Sequence, residues 1–154
     1  MRRNTAKSKS RKTVPSAPSS APRTVFRKIL CPIDFDRISI PALKLAHTIA
    51  RQNGARIYLL YVIPAALRAE LEPLAEKNLL AVTRKWLEGK VPNEVIVRTG
   101  KPVEGVLKAA QELDADLVVM ATHGRTGARR ARLGSVTEEV VRRSTRPVMT
   151  IHPG

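Results

Sequence analysis

The chain has 154 residues, 28 Lys and Arg against 13 Asp and Glu, and a formal net charge of +15. One domain is expected at that length, and an apolar fraction of 43% excludes wholesale disorder. The longest nearly continuous apolar run, 57–67, is too short for a membrane span of about 20 residues; a single cysteine excludes an internal disulfide framework, and three scattered histidines form no Cys/His metal cluster.

Residues 1–24 carry seven Lys and Arg and no acid, spaced by Ser, Thr and Pro. Such a segment cannot bury enough apolar surface to offset its ordering entropy. It reads as a basic, Ser/Pro-rich disordered tail ahead of an α/β domain at 25–154. It lacks the apolar stretch of a secretory signal peptide. Three roles are open to it: a solvated solubility tail, weak nucleic-acid contact, or organelle targeting, the last opposed by too few apolar residues for an amphipathic helix. Without the tail the chain is +8, and residues 121–154 hold seven arginines against Glu138 and Glu139. Of the domain's +8, +5 therefore lies in its last quarter and +3 over residues 25–120.

In chain order, residues 25–33 form an apolar run that reads as a buried strand ending at Asp34. Ala42, Leu45, Ala46, Ile49 and Ala50 recur at helical spacing, with Ser39 as N-cap, Pro41 in the first turn and Asn53-Gly54 as the stop. Residues 56–63 are apolar without alternation, as in a strand covered on both faces. Leu71, Ala75, Leu79, Val82 and Trp86 mark a second helix that Gly89 ends, Trp86 being a core contact. Residues 94–98 form a third strand, followed by the turn Thr99-Gly100-Lys101-Pro102. Val103, Val106, Leu107, Ala110 and Leu113 mark a third helix. Residues 116–121 form a central strand, and 136–144 a fourth helix with Val136, Val140 and Val141 inward. Pro147 opens a last strand, 147–152. Five strands alternating with four helices imply a parallel sheet with helices on both faces. Ligands of such sheets bind outside the carboxyl ends of the strands, where the strand order reverses.

Two segments stand at that edge. After the fourth strand, glycines at 124, 127 and 134 permit positive φ and close backbone approach. Gly134-Ser135 lies where unpaired helix amides and the helix dipole attract anions. Those amides, the Ser135 and Thr137 hydroxyls, and Arg125, Arg129, Arg130 and Arg132 suit phosphate oxygens. Ser135 with Glu138 also spells a capping box, and the two readings are compatible. The loop is neither a Walker loop nor the dinucleotide fingerprint. At the end of the first strand, Asp34 can accept hydrogen bonds from an adenine edge or a ribose, or cap the next helix. Cys31 reads as a buried small hydrophobe. His123 is a loop residue that either touches ligand or caps the loop; with His47 and His152 it forms no catalytic set. Asp114 and Asp116 read as solvated turn residues, and Glu138 either caps its helix or helps hold magnesium.

These residues resemble the universal stress protein family. The likeness rests on Ile29-Leu30-Cys31-Pro32-Ile33-Asp34, Leu59-Leu60-Tyr61-Val62-Ile63, Gly100-Lys101-Pro102, the glycine loop and the ending Arg146-Pro147-Val148-Met149-Thr150-Ile151. It spans about residues 25–152. The nucleotide-binding branch of that family carries Gly, two residues, Gly, nine residues, then Gly-Ser or Gly-Thr. Gly124, residues 125–133 and Gly134-Ser135 match that pattern, whereas Ala121 replaces its first glycine and Ala131-Arg132 stands where relatives have leucines.

The resemblance implies a single doubly wound α/β domain, a five-stranded parallel sheet in the order 3-2-1-4-5. It places adenine and ribose near Pro32, Ile33, Asp34 and Val62, and phosphates against Met120, Ala121, Gly124, Gly134, Ser135, Val136 and Thr137, with Arg125 nearby. The expected ligand is ATP or AMP, with or without magnesium. The expected role is a dimeric stress-response sensor or switch, paired through the last strand, 147–152. With no evident general base, hydrolysis would be slow at most. Two alternatives remain: a dimer of the same fold that binds no nucleotide, favoured by Ala121 and Arg132, and a weak nucleic-acid binder using the tail and the loop arginines. A cytoplasmic location without membrane contact is expected.

Overall fold

A computed structural model describes residues 25–35, 39–87, 89, 91–122 and 133–152. The tail 1–24 and the loop residues Gly124, Arg125, Arg129, Arg130 and Arg132 lie outside these residues, as does His123. The elements are β1 (Lys28–Pro32), α1 (Ile40–Asn53), β2 (Arg56–Ile63), α2 (Arg68–Leu87), β3 (Asn93–Thr99), α3 (Pro102–Glu112), β4 (Leu117–Ala121), α4 (Ser135–Arg143) and β5 (Val148–Ile151), with a 3₁₀ turn at Ala65–Leu67 before α2. The sheet has the expected order β3-β2-β1-β4-β5, and all its pairings are parallel.

The central strands are apolar because both of their faces are covered. Ile29, Cys31, Ile57, Leu59, Leu117 and Val119 point to one side and meet Ala42, Leu43, Ala46 and Ala50 of α1 and Ala75, Leu79 and Leu87 of α2. Leu30, Leu60, Val118 and Met120 point to the other and meet Val106, Ala109 and Ala110 of α3 and Val140 of α4. Two cores thus flank one sheet, as right-handed crossovers dictate. Gly54 ends α1 in the left-handed region at φ 63°, its N–H bonded to the Ala50 carbonyl. Among the described residues no helix is long and apolar enough to cross a membrane.

Several local expectations need correction. The first strand starts at Lys28, not residue 25, because Asp116 accepts the N–H groups of Arg27 and Lys28 at 2.7 and 2.8 Å and fixes the entry to β1. Asp116 is therefore no solvated turn residue. Asp114, in the left-handed region at φ 51°, pairs with Arg146 at 2.6 Å. Val141 faces outward at 42% exposure; Thr137 and Val140, three residues apart, form the buried stripe of α4 instead.

Candidate functional site

β1 and β4 are neighbours, yet the chain leaves them toward opposite faces: β1 leads into α1 and β4 into α4. The divergence opens a cleft of about 400 Å³ at their carboxyl ends. That volume falls within the roughly 300–1,000 Å³ of small-molecule sites. Pro32, Ile33, Asp34, Val62, Met120, Ala121, Gly134, Ser135, Val136 and Thr137 all line it. The remaining two candidates, Gly124 and Arg125, lie outside the described residues.

The wall formed by α4 differs from the expected capping box. Ser135 is the first helical residue and Gly134 the N-cap, so the capping position has no side chain to turn onto the helix amides. The first N–H groups of a helix have no partner within it. The N-terminus of α4 thus presents the amides of Ser135, Val136 and Thr137 at the cleft. Two bonds hold this turn against β4. The Gly134 N–H donates to the Thr122 carbonyl, and the buried Thr137 hydroxyl donates to the Ala121 carbonyl at 2.8 Å. The Thr137 hydroxyl proton is therefore committed to the Ala121 carbonyl, and the side chain anchors the helix start. Ala121 ends β4 in ordinary backbone, since Phe35 and Asp114 are the only non-glycine residues with positive φ among those described. Replacing glycine there imposes no conformational strain.

The opposite wall centres on Asp34. The Ser39 hydroxyl donates to Asp34 Oδ1, while the Asp34 N–H donates to Ser39 Oγ at 3.4 Å. Ser39 occupies the N-cap of α1 as expected, but its hydroxyl serves the carboxylate and makes no capping bond. Phe35, next in the chain, adopts φ 61°, and its ring meets Tyr61 edge-on with centroids 4.5 Å apart. A left-handed Phe costs of order 1–3 kcal/mol and persists only where packing over-determines it. Here the strained turn sets the direction in which the chain leaves Asp34.

Between the walls the lining is apolar: Ile33, Val62 and Met120, with Pro64, Pro102 and Val106. Sequence reasoning missed Ser39, Leu60, Pro64, Pro102 and Val106, which pattern alone assigned to turns or core. It also missed Gly105. A Cβ at that position of α3 would lie 2.7 Å from Val62 Cγ2, so glycine lets α3 close on the strand that floors the cleft. Cys31 is fully buried, and burial pushes its thiol up to about 12, which leaves it protonated and inert. Among the described residues no cluster of His, Cys, Asp and Glu is arranged to hold a metal ion.

The sequence model of the universal stress protein family matches residues 26–152. The chain belongs to that family. Universal stress protein MJ0531 of Methanocaldococcus jannaschii is 30% identical over 142 residues, covering 82% of each chain. A solved structure of the archaeal protein MJ0577 superposes with a TM-score of 0.77 at 26% identity, covering 84% of this chain and 98% of that one. A universal stress protein crystallised in complex with cAMP superposes with a TM-score of 0.63, also at 26% identity, covering 83% and 98%. Family membership fixes the doubly wound sheet and the position of its switch point.

Proposed function

We propose that this universal stress protein binds an adenine nucleotide, ATP or AMP, in the cleft between β1 and α4. The carrying observation is that a carboxylate held by its own hydroxyl donor and a helix N-terminus capped only by glycine line one apolar cleft. Asp34 would accept from the adenine amino group or a ribose hydroxyl. Ile33, Val62 and Met120 would cover the base. The amides of Ser135, Val136 and Thr137 would take the phosphate oxygens, where helix dipole and free donors act together. Gly124 and Arg125 would extend this contact along the loop, and magnesium, if carried by the nucleotide, would sit among the phosphates.

The complex of a relative with cAMP supports the reading by analogy. We assign the protein a sensor or switch role rather than fast turnover, because Asp34 is the one titratable side chain among the described cleft residues. Hydrolysis, which needs a positioned base or oriented water, would be slow at most. We further assign a homodimer joined along β5. It is an edge strand with one neighbour, and Met149 on it is 37% exposed.

Titration calorimetry with ATP and magnesium tests the site. Binding is expected in the wild type, with at least tenfold loss in Gly134→Val, whose side chain would block backbone approach. No heat of binding at millimolar nucleotide would overturn the assignment. The competing reading, a dimer of the same fold without nucleotide, is favoured by Ala121 in place of the family glycine. Native mass spectrometry of the purified protein separates the two, since a retained nucleotide mass excludes the second.

A further inference from the structure

We propose that the outer surface of α1 and of the second half of α2 binds the sugar–phosphate backbone of double-stranded nucleic acid, without regard to base sequence and independently of the cleft. Residues 40–53 and 77–87 together contain five Lys and Arg and no Asp or Glu. All five, Lys44, Arg51, Lys77, Arg84 and Lys85, are exposed. None of them enters an ion pair among the described residues, whereas Arg56, Arg68, Arg98, Arg143 and Arg146 each face a carboxylate. Outside this surface seven described cations face a carboxylate, whereas Arg27, Lys28 and Lys101 do not, and those three do not share a helix face.

The two helices pack on the same face of the sheet, and Trp86 joins their charges into one surface. Lys44 Nζ lies 4.7 Å and Lys85 Nζ 5.4 Å from the centre of the indole. Such stacking restrains the alkyl stems while the ammonium groups stay in water. Complementing the helix dipoles does not explain the pattern. Arg51, Arg84 and Lys85 do stand in last turns. Lys44, however, lies near the start of α1, where a cation is disfavoured, and Lys77 is mid-helix.

The chemistry of the surface selects the partner. Its exposed uncharged polar residues are Thr48, whose hydroxyl donates to the Lys44 carbonyl at 3.0 Å, and Gln52 and Asn78, whose amides can donate outward. Lys, Arg, Thr, Asn and Gln are the side chains that contact phosphate and sugar oxygens. A protein interface would centre on aromatic or aliphatic anchors, and the only large exposed apolar side chain of these two segments is Leu80. Cations are spaced along each helix by two turns, Lys44 to Arg51 and Lys77 to Arg84, or about 10 Å. That spacing suits a charged ribbon and not a single phosphate.

The test is fluorescence anisotropy of the full chain with a mixed-sequence DNA duplex of about 20 base pairs, between about 50 and 200 mM salt. The logarithm of affinity falls with the logarithm of salt by about 0.9 per phosphate neutralised. Replacing all five cations by Gln should lower that slope by three or more and weaken binding at least tenfold. The charge-keeping variant K44R/K77R/K85R should retain both. The double variant Lys77→Gln, Arg84→Gln changes only exposed helix positions; it should fold as the wild type does by circular dichroism and lower the slope by about two. An unchanged slope in that double variant overturns the proposal, because the tail or the loop arginines would then hold the phosphates. Absence of binding by the wild type also overturns it. Displacement of the duplex by polyglutamate as readily as by unlabelled DNA overturns it in favour of an acidic protein partner.

Discussion

The two ends of the sheet each carry an aspartate beside β1, and the contrast between them separates structure from site. At the amino ends, Asp116 spends its carboxylate on the backbone N–H groups of Arg27 and Lys28, and the Lys28 ammonium donates to the Leu113 carbonyl at 3.0 Å. Polar groups there are consumed in closing the fold. At the carboxyl ends, Asp34 accepts the Ser39 hydroxyl at a cleft whose other wall is a helix start with a glycine cap. Polar groups there are positioned, and the neighbouring backbone at Phe35 carries the strain of a left-handed aromatic residue. Similar aspartates thus serve opposite purposes, decided by what each carboxylate is aimed at.

Exchanging the two effects is the sharpest way to break this contrast. Asp34→Ala should weaken ATP binding by about ten- to a hundredfold, the worth of one or two charge-assisted hydrogen bonds, while the melting temperature moves little. Asp116→Ala should do the reverse. It leaves two backbone donors without their acceptor, which costs about 1–3 kcal/mol of stability, and nucleotide affinity should stay within twofold. Calorimetric titration and denaturant unfolding of both variants decide the matter. A loss of affinity in Asp116→Ala equal to that in Asp34→Ala would show that the two ends are not independent.

Two substitutions probe the walls with smaller effects. Gly105→Ala would normally stabilise a helix interior by close to ~1 kcal/mol. Here the added methyl meets Val62 at 2.7 and 2.9 Å, so overpacking reverses the sign, to a net loss of about 1–2 kcal/mol. Val62 lines the cleft, and its displacement should weaken nucleotide binding as well. Thr137→Val removes the hydroxyl that ties α4 to the Ala121 carbonyl, for about 1 kcal/mol. Because that bond only seats the amides, affinity should fall by less than in Gly134→Val. Equal losses in the two variants would return Thr137 to the role of a direct phosphate ligand.

The fold was legible because every level of the sequence agreed. Unalternating strands such as 56–63, helical stripes such as that of α1, and Gly54 at its end all indicate one alternating α/β chain. The site was legible in its backbone chemistry, since Asp34 and Gly134-Ser135 fall at strand ends by counting alone. What counting could not reach was side-chain direction. Whether the Thr137 hydroxyl faces ligand or Ala121 depends on a rotation of the helix by one residue, as does the exchange of Val141 for Thr137 in the core. Pro64, Pro102 and Val106 enter the cleft only through the tertiary approach of α3 to β2, which Gly105 permits and no local pattern announces. The charged face of α1 and α2 was hidden for a related reason: its cations stand on two helices separated in sequence by a whole strand and the first half of α2.

The smallest expected effect concerns Cys31, the penultimate residue of β1. Full burial pushes its thiol up to about 12, whereas an unfolded chain ionises near ~8.5. Between those values the unfolded state has lost the proton that the native state retains. The sign follows from linkage: the contribution is complete below about pH 8.5 and is lost as pH rises toward 12. Stability of the wild type should therefore decline above about pH 9 relative to Cys31→Ala, whose own loss of buried volume is constant with pH. The thiol should also resist alkylation at pH 8 in the folded protein and react once denaturant is added. Rapid modification of the native protein would mean that β1 opens, and with it the rigid frame that holds Asp34 against the start of α4.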